Sequence, residues 1–446
     1  MTGEGEVGLK DTDVAVIGMG LVTPLGTGVN DHRQGMLSMQ TGIRHHPPPV
    51  NDLNPNQDYP RYLQYYGKVA DINYPFAIPD KLNNQMKFLN RGSILGFAAA
   101  LDAIAHALIS IDQLDVAPDR RALYIASGDF TKVGYDFFYT AIKEARLKDT
   151  GDINYERLNN AALNKVNPFY LLESIANNLF SVLSAFTQFM GTNTTLASQS
   201  PCGALALELA ARAIRQGRAD VALAVGCGNW ITEVPMYEMA QLGLLSRCGK
   251  AEASFRPFDQ HRDGFIPSEG GAALLLENAQ RAMRRGAKIY ALIKGFGSHV
   301  EFADGASVSV PDRVILRCME EALVDARCQV GQLGFISPHG SATQKGDRSE
   351  LSSIKALLQD HQLPICGLKP YTGHMAAASD IAETIIAIAA LRQGIVPATL
   401  NYNTPDRLFA SLNIPVVHTQ AKGKTFLSVS YGIGGQSSAV VVEAVR

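Results

Sequence analysis

TTLASQSPCGALALELAARAIRQG, residues 194–217, runs as a short apolar strand, turns at Ser200-Pro201, and continues as an amphipathic helix that stops at Gly217. A sharp strand-to-helix turn is a common mount for a nucleophile, and Ser200 and Cys202 both stand there. The same residues also suit a structural role, because serine before proline makes a good helix cap with proline at the first helical position. The end of the stretch has an echo. ELAARAIRQG (208–217) leads into an apolar run, and AIAALRQG (387–394) leads into IVPATL. Two halves built on one plan explain the echo; chance is the alternative.

Strand patterns at 14–20, 122–127, 220–226, 272–277 and 438–445 alternate with helical patterns at 93–108, 205–215, 314–326 and 381–391. That alternation predicts an α/β chain. Gly18 and Gly20 in VAVIGMG lack the third glycine of a dinucleotide fingerprint, so no nucleotide cofactor is expected. Residues 44–83 show no period and predict an irregular insertion. The segment 248–264 is the expected crossing between halves, giving 1–255 and 256–446.

Composition excludes several classes. With 46% hydrophobic residues in 446, the chain can fill a large core, and 40 basic against 42 acidic residues give no global field for nucleic acid. The six cysteines show no C-x-x-C spacing, against a disulfide framework or zinc site, and fit a reducing cytoplasm. The start lacks the order of a signal peptide, and no apolar run is long enough to span a membrane.

Two histidines stand in unusual company: His339 in SPHGSAT, and His374 in LKPYTGHMAAAS, five residues after Lys369. Each is expected where an apolar strand gives way to a glycine-bearing loop before a helix, where open α/β sheets gather reactive groups. Either also reads as a satisfied structural histidine. Asp263 and Glu269 in DGFIPSEGG are metal ligands by type, but one strand-entry loop is the preferred reading, and no metal is expected.

VAVIGMGLVTPLG, NPFYLLESIANNL, PFDQHRDGFIPSEGGAALLLE, PHGSATQKGDRSE, LKPYTGH and SVSYGIGGQSSAVVVE, in this order, resemble the motifs of the β-ketoacyl-acyl-carrier-protein synthases, over residues 12–446. The resemblance implies the thiolase fold, with duplicated α/β halves in a five-layer αβαβα arrangement. It implies an acyltransferase-class activity in fatty acid or polyketide biosynthesis. The family's cysteine takes an acyl chain, and its two histidines promote malonyl decarboxylation and stabilise the enolate. His339 and His374 match those histidines, and Lys369 and Glu350 match the family's lysine and glutamate. Ser341 and Thr343 fall where threonines contact the phosphopantetheine arm, which the acyl carrier protein brings as the substrate's own group, with no other cofactor.

By the family's spacing, Gly191 and Gly203 both point to residue 200, which is serine. Cys202, and Gln199, which resembles the glutamine of decarboxylating and chain-length subunits, each need a shifted alignment. The resemblance makes the amides of Ser200 and Ile433 the oxyanion donors, with Ile433 replacing a gating phenylalanine. A serine forms a weaker nucleophile and a less reactive acyl ester than a thiol, so decarboxylation or acyl transfer is expected over condensation. A non-catalytic, chain-length-factor-like partner and a Ser200 acyltransferase or esterase are the alternatives. Family members pair, so a homodimer or a heterodimer with another ketosynthase is expected, joined through the strand at 220–228.

Overall fold

Val14–Thr23, with every side chain buried, forms β1 in the middle of a large mixed sheet. The computed structural model describes residues 12–47, 60–107, 114–128, 135–166, 168, 170, 178–197, 200–302 and 308–445. The expectations placed on residues 1–11, on Gln199 and on most of the 167–179 motif lie outside these. β1 is joined by β2 (Arg121–Ser127), β3 (Asn193–Ala197), β4 (Val221–Asn229), β5 (Glu269–Asn278), β6 (Ala291–Val300), β7 (Leu333–Ser337), β8 (Thr425–Tyr431) and β9 (Gln436–Ala444). Their order is β7-β8-β9-β6-β1-β5-β4-β2-β3.

β6 meets β1 only over Val14–Val16, and this short joint separates two sheets of one design. The first runs β1-β5-β4-β2-β3. The second runs β6-β9-β8-β7, extended by a bridge from Ile336 of β7 to Ile365. In both, the first three strands pair antiparallel and the outer ones parallel. The repeat therefore turns over between Asn278 and Ala291. The expected division at 255/256 falls in the segment before β5, a strand that pairs with β1 and β4.

Five helices complete the frame: α1 (Arg91–His106), α2 (Cys202–Arg215), α3 (Leu316–Ala326), α4 (Gln344–Leu358) and α5 (Ala377–Arg392). α1 covers β1, β4 and β5, and α3 covers β6 and β9. α2 and α5 pack on each other and between the sheets, which gives the αβαβα layering. Strand alternation follows from this. Ala222, Ala224, Leu274 and Leu276 share a core with α2 and α5, whereas Leu223, Val225 and Leu275 share one with α1. Strands covered on both faces read as continuous apolar runs. The sequence echo is the α2/α5 pair itself. Both helices end in Arg-Gln-Gly, and Gly217 (φ +66) and Gly394 (φ +71) take the left-handed conformation that terminates them.

Gly18 and Gly20 serve packing. A Cβ at either would collide with the carbonyl of Ala103 or Ala99 in α1. The expected irregular insertion forms, where described, an antiparallel pair of Ile43–His45 with Tyr65–Gly67, and the Gly67 N–H donates to Pro267 O at 3.0 Å. The strand at 220–228 corrects the expected mode of pairing between subunits. It is β4, hydrogen-bonded on one side to β2 and on the other to β5, so it has no free edge. Among the described residues, the open edge is β3, the strand before α2. No helix among the described residues is long and apolar enough to cross a membrane.

Candidate active site

The ends of β3, β7 and β8 and the loop before α5 converge on one cavity of about 410 Å³, lined by Ser200, His339, Ser341, Thr343, His374 and Ile433 among others. Two halves of the duplicated fold thus bring together residues that are more than 230 positions apart in sequence, from Ser200 to Ile433.

His339 follows β7 directly. Glu350, the seventh residue of α4, accepts the His339 N–H at 2.6 Å and the Gly340 N–H at 2.8 Å, so it fixes the loop that carries the imidazole. Burial, with Asp347 nearby, pushes Glu350 up to about 8, against those two donors. The Lys369 charge acts against that rise, but its ion-pair partner lies elsewhere. That partner is Glu383 of α5, which accepts from the Lys369 Nζ at 3.1 Å through Oε2 and has Oε1 2.8 Å away, both groups being buried.

His374 lies in an aromatic slot, with ring centroids 4.7 Å from Trp230, 4.8 Å from Phe265 and 5.2 Å from His339. The expected strand before it is reduced to the Ile365 bridge and a helical turn, Lys369–Thr372. Main-chain bonds to Ile266 and Ser268 hold the residue, and its Nδ1 accepts the Ala376 N–H at 3.2 Å. An imidazole whose Nδ1 is an acceptor carries its neutral-form proton on Nε2. Burial, reinforced by Lys369, holds both histidines well below the usual imidazole range, and His374 adds to the effect on His339. The cavity thus contains two neutral imidazoles, and His374 offers an N–H donor.

Ser200 is buried, and its hydroxyl donates to Asp380 Oδ1 at 2.9 Å. The helix starts at Cys202 with Pro201 as its cap, one residue later than a Ser200 cap requires. Cys202 turns away into the core between the sheets, with Sγ 3.5 Å from Leu196 O. Gly432 lies so close to the Ser200 carbonyl that a Cβ would overlap it, which brings the Ile433 loop against Ser200. Among the described residues, neither the Ser200 nor the Ile433 N–H has an intramolecular acceptor.

Ser341 and Thr343 share a 2.8 Å hydroxyl contact, and Ser341 also meets Tyr431 Oη at 3.0 Å and donates to Asp347 Oδ1 at 3.3 Å. Thr343 caps α4 by accepting the Gly346 N–H. Asp263 accepts from Ser246 Oγ and the Arg247 N–H, and Glu269 pairs with Arg91 at 2.9 Å, so both hold the floor of the site together. Sequence reading missed Asp380 and Glu383. Two carboxylates in the otherwise apolar AASDIAETIIAIAAL are the signal that would have found them, because a helix buried on all sides rarely keeps an unpaired charge.

A duplicated five-layer α/β fold with Ser200 and His374 before two equivalent helices, α2 and α5, and a second imidazole, His339, after β7 defines a thiolase-fold, condensing-enzyme-like protein. The Beta-ketoacyl synthase N-terminal domain matches residues 11–282 and its C-terminal domain residues 290–403, and the chain belongs to that family. The 3-oxoacyl-[acyl-carrier-protein] synthase 2 of Coxiella burnetii is 28% identical over 441 residues, 97% of this chain and 98% of that protein. A type II polyketide ketosynthase solved with its acyl-carrier protein superposes with a TM-score of 0.79 at 24% identity, covering 98% of this chain and 100% of that one. The ishigamide ketosynthase/chain length factor superposes at 0.80 and 21% identity, covering 97% and 99%.

Proposed function

We propose that this chain acts on malonyl and acyl groups held by an acyl carrier protein, and that Ser200, in the place of the family's cysteine, favours decarboxylation or acyl transfer over condensation. In decarboxylation the malonyl C–C bond breaks, carbon dioxide leaves, and the electron pair passes into an enolate that is then protonated to an acetyl thioester. The His374 Nε2–H, next to a neutral His339, is the observation that carries the reading: it presents a fixed donor where negative charge develops. The amides of Ser200 and Ile433 would hold an acyl carbonyl oxygen during transfer. Ser341 and Thr343 would face the phosphopantetheine arm, and the adjoining groove with exposed Arg313, Lys345, Arg348 and Lys355 suits its phosphate and an acidic carrier.

Purified protein is expected to release carbon dioxide from malonyl carrier protein, and His339→Ala or His374→Ala to reduce the rate about 100-fold or more, as loss of an oxyanion donor does. Equal rates in all three proteins overturn the reading. Acyl-donor trapping with peptide mass analysis separates its branches. An adduct on Ser200 supports acyl transfer, and one on Cys202 refutes the placement of Ser200. The alternative of a non-catalytic partner subunit is favoured by one observation, the Ser200 hydroxyl already committed to Asp380. Neither adduct nor carbon dioxide release would support it.

A further inference from the structure

Asp380, in the first turn of α5, reaches across to the head of α2. Its carboxylate receives the Ser200 hydroxyl at 2.9 Å and the Gly203 N–H at 3.0 Å. Gly203 is the second residue of α2, and no intrahelical carbonyl can satisfy its amide. The α2 cap, Pro201, supplies no side-chain oxygen, so the cap comes from the equivalent helix of the other half. Burial pushes the Asp380 carboxyl up from its ordinary value, while Lys369 and the hydrogen bond from Ser200 oppose this and favour the ionised form.

A helix N-terminus normally favours a negative group, through a partial charge of about half a unit. Here a full negative charge already occupies it, in contact with the atom that would have to become negative. We propose that Asp380 is a positioning residue that holds the side chain at position 200 as a neutral hydrogen-bond donor and cancels the helix-end field that would otherwise activate it. This rests on reading residue 200 as the family's nucleophile position. The surrounding charges do not undo the effect. Lys369 acts on Asp380 but is paired with Glu383, so above about pH 7, where Glu383 is ionised, the three together carry one net negative charge, and His339 and His374 are neutral. Decarboxylation asks for no anion on residue 200, whereas acyl loading does; the Asp380 cap thus separates the two activities of one site.

The test uses Ser200→Cys and Ser200→Cys/Asp380→Asn, with the rate of iodoacetamide alkylation at residue 200 followed by peptide mass from about pH 5 to 10. The single variant is expected to alkylate with a midpoint above the ordinary thiol value of about 8.5. The double variant's midpoint is expected at least about one unit lower, giving roughly tenfold faster alkylation near pH 7. A single-variant midpoint below about 8.5, or equal midpoints in both proteins, overturns the proposal. If the double variant does not fold, the single variant's midpoint still decides. Because neither measurement uses malonyl or a carrier protein, a failed decarboxylation assay and a failed alkylation assay point to different errors.

Discussion

At the scale of single residues, the buried Lys369 has two tasks that one substitution can separate. It neutralises Glu383, and its charge disfavours a second positive charge on His339 and His374. Removing Lys369 alone would leave Glu383 buried and unpaired, at about 3–5 kcal/mol for a broken buried pair. Lys369→Met with Glu383→Gln avoids that loss. Without the lysine, both imidazoles bind a proton more readily, so the acid limb of carbon dioxide release is expected to move to higher pH. A pH–rate profile of the double variant against the wild type checks this, and an unmoved acid limb would show that burial alone holds the histidines neutral.

At the scale of elements, α4 and the loop before it form a unit that depends on Glu350. Its carboxylate holds two backbone N–H groups, yet burial and Asp347 push it up to about 8 from an ordinary value of 4.5. A raised carboxylate contributes stability that is complete below the unfolded value and lost as pH rises through the folded one. Glu383, up to about 7, has the same sign. The depressed histidines have the opposite sign, but their contribution is complete above about 6.5. Of these four groups, Glu350 and Glu383 are the ones that act between pH 6.5 and 8, and the melting temperature is expected to fall across that window. Glu350→Gln should lower the melting temperature overall, because an amide NH2 replaces one of the two oxygens that accept the His339 and Gly340 N–H groups, and flatten this fall; an unchanged slope would remove Glu350 as its cause.

The same elements show what the sequence made legible. β1, β2, β4, β5 and β9 were readable because strands buried on both faces are apolar throughout. β6, ALIKGFGSHV, was not, since Lys294, two glycines and His299 break its run, and Gly295 and Gly297 are there to let α3 approach. α4, QKGDRSELSSIKALL, hid behind polar residues that turn out to be buried and bonded. The histidines were legible from their glycine-bearing loops. Asp380 was not, because the apolar helical pattern begins only at Ile381, and a contact from α5 to the head of α2 exists only once the two halves are folded together.

At the scale of the whole molecule, the open edge of the sheet decides how subunits can pair. Among the described residues, β3, Asn193–Ala197, is bonded on one side only, to β2, and its residues are half-buried or exposed. An uncovered edge strand is a template for pairing with another chain. The Leu123 N–H donates to Thr192 O, so in this parallel ladder Thr192, Thr194 and Leu196 face β2, and Asn193, Thr195 and Ala197 present their N–H and C=O groups outward. A proline at position 195 therefore removes an outward donor without breaking a bond to β2. If two chains join through β3, wild-type protein is expected to run as a dimer at micromolar concentration, and Thr195→Pro as a folded monomer, by light scattering with circular dichroism as the control. Ser200 is three residues beyond the end of β3 in the sequence, so such a joint would lie close to the site, and the monomeric variant should lose carbon dioxide release along with its partner. A dimer that survives Thr195→Pro with wild-type affinity would place the interface elsewhere.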